Sequence, residues 1–507
     1  MLKLLKTLVS SILLVLFILC FLIINNFFDF LANVLTTMQF MPSFISLFNL
    51  KSFFTVLSFL FIITLTFLFG RIYCSFICPL GFLQDFFIKF TSLYKKNSYK
   101  YFNKINFLRY GILILLIIFF ISGNLLITNL LDPYSIFGRI ITDLIKPLII
   151  WINNFFYESL NKSQIYLFIH IKLEKINLFV IFTTLIFFIS ILITSLLKGR
   201  LYCNSICPVG TLLGFISKIS LFKINLNSET CTKCGLCEKK CIASCIDSKN
   251  NYIDQSLCVR CFNCLDVCKP KSLSFNILKP KPQFNLSRRH FISNSFNYLF
   301  AIFLTSFFPL KFLFGKSIPQ KFNNKLIIPP GGLNIKHFSN NCTGCLLCVN
   351  KCPKKIIRAN FLEHQALQIM QASINYSYGF CDYECNICSQ VCPTNALIPL
   401  SLSEKKLTQI GIVQFIEKDC IVVKNQKDCG ACSEHCPTKA VYMIPYKENL
   451  FIPATNTEIC IGCGACEYAC PAIPKAIIVN GNSEHKKAKI VKSNKNIEKV
   501  KNNDFPF

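Results

Sequence analysis

The hydrophobic pattern divides the chain in two. Four apolar runs without a charged side chain occupy the first 200 residues: Thr7 to Ile24, Ser52 to Gly70, Tyr110 to Asn129 and Asn177 to Leu197. At about 1.5 Å of rise per residue, each has the length of a helix that crosses a hydrocarbon core of about 30 Å. Beyond them the pattern breaks into short mixed segments punctuated by cysteine and proline, with one moderately apolar stretch from Tyr298 to Phe314. The expected fold is an α-helical membrane bundle of four helices with a fifth anchor helix, carrying small α+β domains of bacterial-ferredoxin type.

Basic residues orient the bundle. Lys3 and Lys6 precede the first run, Arg71, Lys89, Lys95, Lys96, Lys100, Lys104 and Arg109 lie between the second and third, and Lys198 and Arg200 follow the fourth. Under the positive-inside rule both ends of the bundle face the cytoplasm. The opposite stretch from Asp132 to Lys175 is balanced by Asp143, Glu158 and Glu174, and Trp151 reads as an interfacial anchor.

The bundle contains a repeat. Gly70-Arg71-Ile72-Tyr73-Cys74 and Gly199-Arg200-Leu201-Tyr202-Cys203 each continue to Cys-Pro after three residues, at Cys78-Pro79 and Cys207-Pro208. Each copy follows an outward-then-inward helix pair, so the halves are expected to be related by an axis along the membrane normal, with all four cysteines meeting at the cytoplasmic face. Two readings of the four stay open: a seventh metal or cluster site, or structural or redox thiols whose prolines end each helix.

Composition agrees with a lipid environment, at 53% hydrophobic with 52 Phe. Of the 30 cysteines, 24 fall into six groups with the spacing that wraps a 4Fe-4S cluster. Cys231, Cys234, Cys237 and Cys241, then Cys258, Cys261, Cys264 and Cys268, form a two-cluster ferredoxin pattern. There the fourth cysteine serves the other cluster, which predicts Cys231, Cys234, Cys237 with Cys268, and Cys258, Cys261, Cys264 with Cys241. Cys245 is a spare thiol or an alternative ligand, and Cys20 has no assigned role. Zinc would require paired C-x2-C knuckles instead.

Four more groups follow Pro330: Cys342, Cys345, Cys348 and Cys352; Cys381, Cys385, Cys388 and Cys392; Cys420, Cys429, Cys432 and Cys436; Cys460, Cys463, Cys466 and Cys470. The second is widened by one residue and the third has a distant first cysteine. Irregular groups between regular ones suggest nested pairing, first with fourth and second with third, each exchanging its last cysteine; sequential pairing is the alternative.

The formal charge of +29 would ordinarily raise nucleic acid as a partner. Four thiolates around an oxidised core carry a net charge of about −2, so six clusters bring the total to roughly +17. No nucleic-acid motif supports that partner. All six histidines lie outside the four apolar runs, and neither C-x-x-C-H nor G-x-G-x-x-G occurs. Haem, flavin and nicotinamide are therefore not expected, leaving iron held by cysteine as the redox metal.

Between the ferredoxin blocks, Ser287-Arg288-Arg289-His290-Phe291-Ile292 matches the twin-arginine export pattern, followed by Tyr298 to Phe314 as a retained anchor. No A-x-A cleavage site follows, but Pro309 and Lys311 interrupt the apolar run. The expected domains are 1–222 membrane bundle, 223–285 cytoplasmic two-cluster ferredoxin, 286–316 export signal and anchor, 317–480 periplasmic four-cluster ferredoxin, and 481–507 a basic disordered tail.

On these motifs residues 1–280 resemble the membrane subunit of the quinol dehydrogenase serving periplasmic nitrate reductase (NapH type). Residues 286–480 resemble its twin-arginine-exported four-cluster partner (NapG type), here fused to it. The resemblance implies a bacterial inner-membrane protein that takes electrons from the quinone pool and delivers them to a periplasmic cytochrome or reductase. It places Cys74, Cys78, Cys203 and Cys207 near the quinol site. Related C-x3-C-P proteins serve nitrous oxide reduction, methylamine oxidation and cytochrome oxidase assembly, so a redox biogenesis factor or a non-catalytic wiring subunit is the alternative.

Overall fold

The computed structural model describes residues 2–48, 53–94, 99–101, 106–161, 168–172, 177–277, 326–360, 369–447 and 449–489. The twin-arginine motif, the anchor stretch and residues 490–507 lie outside the described residues.

The membrane half begins with α1 (Leu2–Leu22), α2 (Asn26–Thr37), α3 (Phe40–Phe48), α4 (Phe53–Phe69), α5 (Tyr73–Phe76), α6 (Pro79–Tyr94) and α7 (Asn106–Ile121). It continues through α8 (Leu126–Leu131), α9 (Pro133–Arg139), a π-helical turn (Ile140–Ile145), α10 (Lys146–Asn161), α11 (Leu178–Lys198), α12 (Leu201–Ser205) and α13 (Pro208–Lys218). Among the described residues α1 and α11, each of 21 residues, are long and apolar enough to cross a membrane, and α2 with α3, bent by 77°, forms a third candidate. Their outward faces leave Leu4, Leu8, Ile12, Phe182 and Ile186 about half exposed, an apolar coat suited to lipid tails rather than water.

The four-span expectation is reduced accordingly. α4 and α7 have 17 and 16 residues, about 25 Å of helix. The third run was expected to stay helical to Asn129, but α7 stops at Ile121. Gly123, at φ +73°, turns the chain there, and Asn129 lies fully buried in α8. The supposed outer loop after Asp132 is also largely helix. Asp132 caps α9 by accepting from the Ser135 amide at 2.8 Å, with Pro133 at the first helical position. Tyr134 and Phe137 are buried among Phe17 and Phe21 of α1, with edge-on ring contacts of Phe137 at 6.2 Å.

Two ferredoxin-type modules follow. In the first, β1 (Phe222–Leu226) pairs antiparallel with β4 (Leu273–Ile277), placing Ile224 opposite Phe275, and the hairpin β2 (Ile246–Asp247) with β3 (Tyr252–Ile253) lies between. The second contains the hairpins β5 (Ile357–Ala359) with β6 (Ala372–Ile374) and β8 (Val441–Pro445) with β9 (Phe451–Thr455). Its longest ladder joins β7 (Thr408–Phe415) to β10 (Ile477–Lys487). Because β10 runs to Lys487, ordered structure passes the boundary expected at residue 480.

α1 links the modules. Lys3 at its start pairs with Asp266 of the first at 2.9 Å, while Lys351 of the second donates to the Ile23 carbonyl just past its end and pairs with Asp29 of α2. Twenty-one residues of helix separate these contacts, about 30 Å. The modules therefore occupy opposite ends of α1, here called inner and outer.

Candidate functional site

The inner module gathers its cysteines into two cavities. Cys231, Cys234, Cys237 and Cys268 line one, and Cys241, Cys258, Cys261 and Cys264 line the other, so each fourth cysteine crosses to the neighbouring group. Four thiols facing one small cavity are the donor set of a four-iron cube. Cys245 lines the second cavity as well, buried, with its sulfur 3.5 Å from that of Cys241. A hydrogen bond from Cys245, assisted by Arg260, lowers the Cys258 thiol from its ordinary range against the opposing effect of burial.

The spacing has a backbone cause. In the four groups with standard spacing the residue after the second cysteine is left-handed: Gly235 (φ +71°), Phe262 (φ +62°), Leu346 (φ +59°) and Gly464 (φ +79°). That turn starts the short helix bearing the third cysteine, so the loop doubles back around a common centre. The irregular groups lack it: Asn386 and Gly430 sit at φ −130° and −124°.

In the outer module the pairing is sequential, which corrects the nested expectation. Cys352 lines one cavity with Cys381, Cys385 and Cys388, and Cys392 in turn stands beside Cys342, Cys345 and Cys348. Cys436 stands beside Cys460, Cys463 and Cys466, while Cys470 joins Cys420, Cys429 and Cys432. The hairpins decide this. β5–β6 folds the first group back on the second, and β8–β9 folds the third on the fourth. The two pairs meet where the Cys381 amide donates to the Cys463 carbonyl at 2.8 Å.

The repeated motif assembles between the modules. Cys74, Cys78, Cys203 and Cys207 are only 3–5% exposed; Cys78 has Cys203 of the other repeat as an electrostatic neighbour, and Cys207 has both Cys74 and Cys78. Gly70 and Gly199, at φ +76° and +67°, end α4 and α11. The next residue then reaches across the repeat axis. Arg71 donates to the carbonyl of Cys203 at 2.9 Å and Arg200 to that of Cys74 at 2.5 Å. The tyrosines point the other way, Tyr73 to Gln39 at 3.0 Å and Tyr202 to the Leu131 carbonyl at 2.9 Å.

Two further positions complete the motif and were missed in the sequence, although the signal is there in both copies: Cys78-Pro79-Leu80-Gly81 and Cys207-Pro208-Val209-Gly210. A Cβ at Gly81 would collide with the Cys74 carbonyl, and one at Gly210 with that of Cys203. The arginines also change meaning. Arg71, Arg109 and Arg200, expected as flanking charges at a membrane surface, are 0–2% exposed and serve as internal hydrogen-bond donors.

The outer module rests on this assembly. The Cys345 carbonyl lies against Gly138 of α9, where only glycine leaves room, and Asn350 donates to Thr142 at 2.6 Å. Beside that seam a cavity of about 490 Å³ is lined by Ile45, Phe120 and Leu125 of the bundle and by His337, Asn340 and Asn341, directly before Cys342.

Comparison with known proteins agrees with the cysteine geometry. Models described as "4Fe-4S binding domain" match residues 52–98 and 180–227, segments whose cysteines are Cys74, Cys78, Cys203 and Cys207, and residues 342–356. A "4Fe-4S dicluster domain" matches residues 427–473. The uncharacterized protein MJ0750 of Methanocaldococcus jannaschii is 30% identical over 42% of this chain and 76% of its own length. Its neighbour in name, MJ0749, is 26% identical over 44% of this chain and 71% of its own length. The ferredoxin-type protein NapF of Escherichia coli is 28% identical over 29% of this chain and 80% of its own length. No solved structure matches. With 4Fe-4S models matching both its membrane repeat and its outer module, and with MJ0750 as a relative over most of that protein's length, the chain belongs to the 4Fe-4S polyferredoxin family of electron-transfer proteins.

Proposed function

We propose that this protein oxidises a membrane quinol and delivers the electrons, one at a time, through 4Fe-4S clusters to a redox acceptor on the periplasmic side. The supporting observation is the 490 Å³ cavity at the seam of bundle and outer module, apolar on one side and polar on the other, one residue from the cluster ligand Cys342. Its volume lies in the range of small-molecule pockets, and its lining suits a lipophilic ring with two hydroxyls. The clusters supply one-electron transfer at potentials tuned by burial and by hydrogen bonds to sulfur.

The residues divide the work. Ile45, Phe120 and Leu125 receive the ring from the apolar side. His337 is held by hydrogen bonds, its Nε2–H donating to the Asn395 carbonyl at 3.0 Å and its Nδ1 accepting from the Asn341 amide at 3.3 Å, a fixed imidazole that shapes the polar wall met by a quinol hydroxyl. Cys74, Cys78, Cys203 and Cys207, the earlier candidates for the quinol site, are too buried to meet the ring, so in this reading they lie behind it. The 24 grouped cysteines hold six clusters, two in the inner module and four in the outer. Export by way of Arg288 and Arg289 would carry the outer module across already folded around its metal, as a domain loaded in the cytoplasm requires.

Adding a short-chain quinol to purified, oxidised protein tests this by bleaching of cluster absorbance. His337→Ala should slow the bleaching while leaving the iron content unchanged. No bleaching by any quinol, with all clusters present, would overturn quinol oxidation in favour of a wiring subunit.

A further inference from the structure

We propose that the inner module carries a docking surface for a small acidic one-electron carrier protein, centred on Cys234 and ringed by Lys233, Lys239, Lys269 and Lys271. It rests on the chain being an iron-sulfur protein and is independent of the quinol reading, whose path from the outer seam to a periplasmic acceptor leaves the inner module without a partner.

Exposure is the first argument. Of the 24 grouped cysteines Cys234 alone is exposed, and Cys231 and Cys268 of the same site are partly so. The other inner site is sealed, with Cys241, Cys258, Cys261 and Cys264 only 5–8% exposed. That sealed site faces the bundle: Arg71 donates to the Leu257 carbonyl at 3.4 Å and Ser75 to that of Val259 at 2.6 Å, on either side of Cys258. Cys264 in turn has Cys237 of the exposed site as an electrostatic neighbour. The module thus sets one four-thiol site at the water surface and its neighbour against the bundle, the order in which a soluble partner would be met.

Charge is the second. Lys233 and Arg260 hold the same place in their groups, directly before the second cysteine, with the same left-handed backbone at φ +51° and +55°. Arg260 is fully buried and donates to the Phe69 carbonyl at 3.0 Å, whereas Lys233 is exposed at the rim of the first site. Lys269 and Lys271 flank Pro270, which lines the same cavity, and Lys239 is an electrostatic neighbour of Cys234; all three are exposed. Among the described residues none of the four lysines makes an ion pair. Of the acids nearby, Asp266 is paired with Lys3 at 2.9 Å, and Glu238 accepts from the Tyr101 amide at 3.0 Å and the Ser248 amide at 3.1 Å. Glu229 is the exposed carboxylate left beside four cations.

Shape is the third. Leu236, 41% exposed, follows Cys234 by two residues and lines the same cavity, so the basic rim has an apolar point at its centre. Transient redox complexes are small, below about 1,200 Å² of buried surface, and are assembled by charge steering more than by burial. The excess positive charge selects an acidic partner, and the four-thiol site beneath it, suited to one-electron chemistry, selects a one-electron carrier. One electron leaves the reduced carrier and enters the site of Cys231, Cys234, Cys237 and Cys268, with no bond made or broken and no proton moved. Anionic lipid headgroups would also meet the lysines, but they gain nothing from an exposed cluster ligand at the centre.

Stopped-flow reduction of the oxidised full-length protein in lipid nanodiscs, by a reduced acidic ferredoxin of plant type, tests the proposal. The rate should fall at least about tenfold as salt rises from about 20 to about 300 mM, because screening removes the steering. The variant carrying Lys233→Glu, Lys239→Glu, Lys269→Glu and Lys271→Glu should react at least about tenfold more slowly at low salt, with unchanged iron content. Methyl viologen radical, a small cation that needs no docking surface, should reduce the variant at least as fast as the wild type. Equal ferredoxin rates in the two proteins overturn the proposal. So does equal slowing with both reductants, which would make the lysines partners of the cluster alone, and so does a difference confined to nanodiscs of anionic lipid, which would assign them to headgroups. Should the variant lose iron, Lys269→Gln with Lys271→Gln, outside the cysteine loop, decides on the same readouts. No quinol enters these reactions, so failure of quinol oxidation is seen separately.

Discussion

Arg71 donates to the backbone carbonyl of Cys203, and Arg200 to that of Cys74, so each half of the repeat is held shut by the arginine of the other. A pair of buried guanidinium groups replaces what would otherwise be orphan carbonyls beside the four thiols.

Arg71→Met removes the donors to Asn204, Cys203 and Ser256 at once. The expected cost is about 3 kcal/mol, because buried acceptors lose charged partners and nothing replaces them. Arg71→Lys should recover only part of it, since an ammonium cannot reproduce the planar fork. Thermal unfolding followed by cluster absorbance measures both.

Gly81→Ala and Gly210→Ala should each destabilise the bundle by roughly 2–4 kcal/mol, as the added methyl meets backbone that cannot move aside. Gly111→Ala is the control. Its Cβ would meet nothing within 4 Å, and alanine should stabilise α7 by about 0.5–1 kcal/mol. Equal losses at all three positions would contradict the packing described for the motif.

Lys351→Met leaves Asp29 without its partner at the contact between α2 and the outer module. The seam should weaken by about 3 kcal/mol, read as faster hydrogen exchange in α2 and around Leu347 while β7 and β10 keep their protection.

Sequential pairing has a spectroscopic consequence. Cys352→Ala should perturb the same paramagnetic signal as Cys388→Ala, and Cys470→Ala the same as Cys432→Ala. Nested pairing would instead couple Cys352 to the Cys460, Cys463 and Cys466 set.

Burial pushes the His485 imidazole down to about 4. The unfolded chain binds a proton below about 6.5 that the folded chain refuses, so stability is complete above 6.5 and is lost as pH falls from there towards 4. At pH 5.5 the loss is about 1 kcal/mol relative to pH 7.5, and His485→Gln should remove that part of the slope in thermal unfolding.

The inner module's exchange of Cys241 and Cys268 was readable in the sequence because its two groups are contiguous and regular. The outer pairing was not. Which group folds on which depends on the hairpins Ile357–Ala359 with Ala372–Ile374 and Val441–Pro445 with Phe451–Thr455, whose strands of three to five residues carry little pattern of their own. The helix break at Gly123 was likewise hidden inside the stretch from Tyr110 to Asn129, which reads as one apolar run, because hydropathy reports solvent preference and not backbone direction.

The sequence by itself determined the chemistry: cysteine spacing is local, and a short loop can close on an iron-sulfur core with no help from the rest of the fold. It also determined the repeat, since two copies of one motif are visible without coordinates. Only the tertiary structure decided that Arg71, Arg109 and Arg200 turn inward, that Gly81 and Gly210 seal the four bundle cysteines, and that the two modules stand at opposite ends of α1. The arginine contacts and the placement of the modules join residues more than a hundred positions apart, and the two glycines meet carbonyls seven positions back that only the folded turn brings close, so the free energy of burying a charge or excluding a methyl is set by neighbours that the linear order does not reveal.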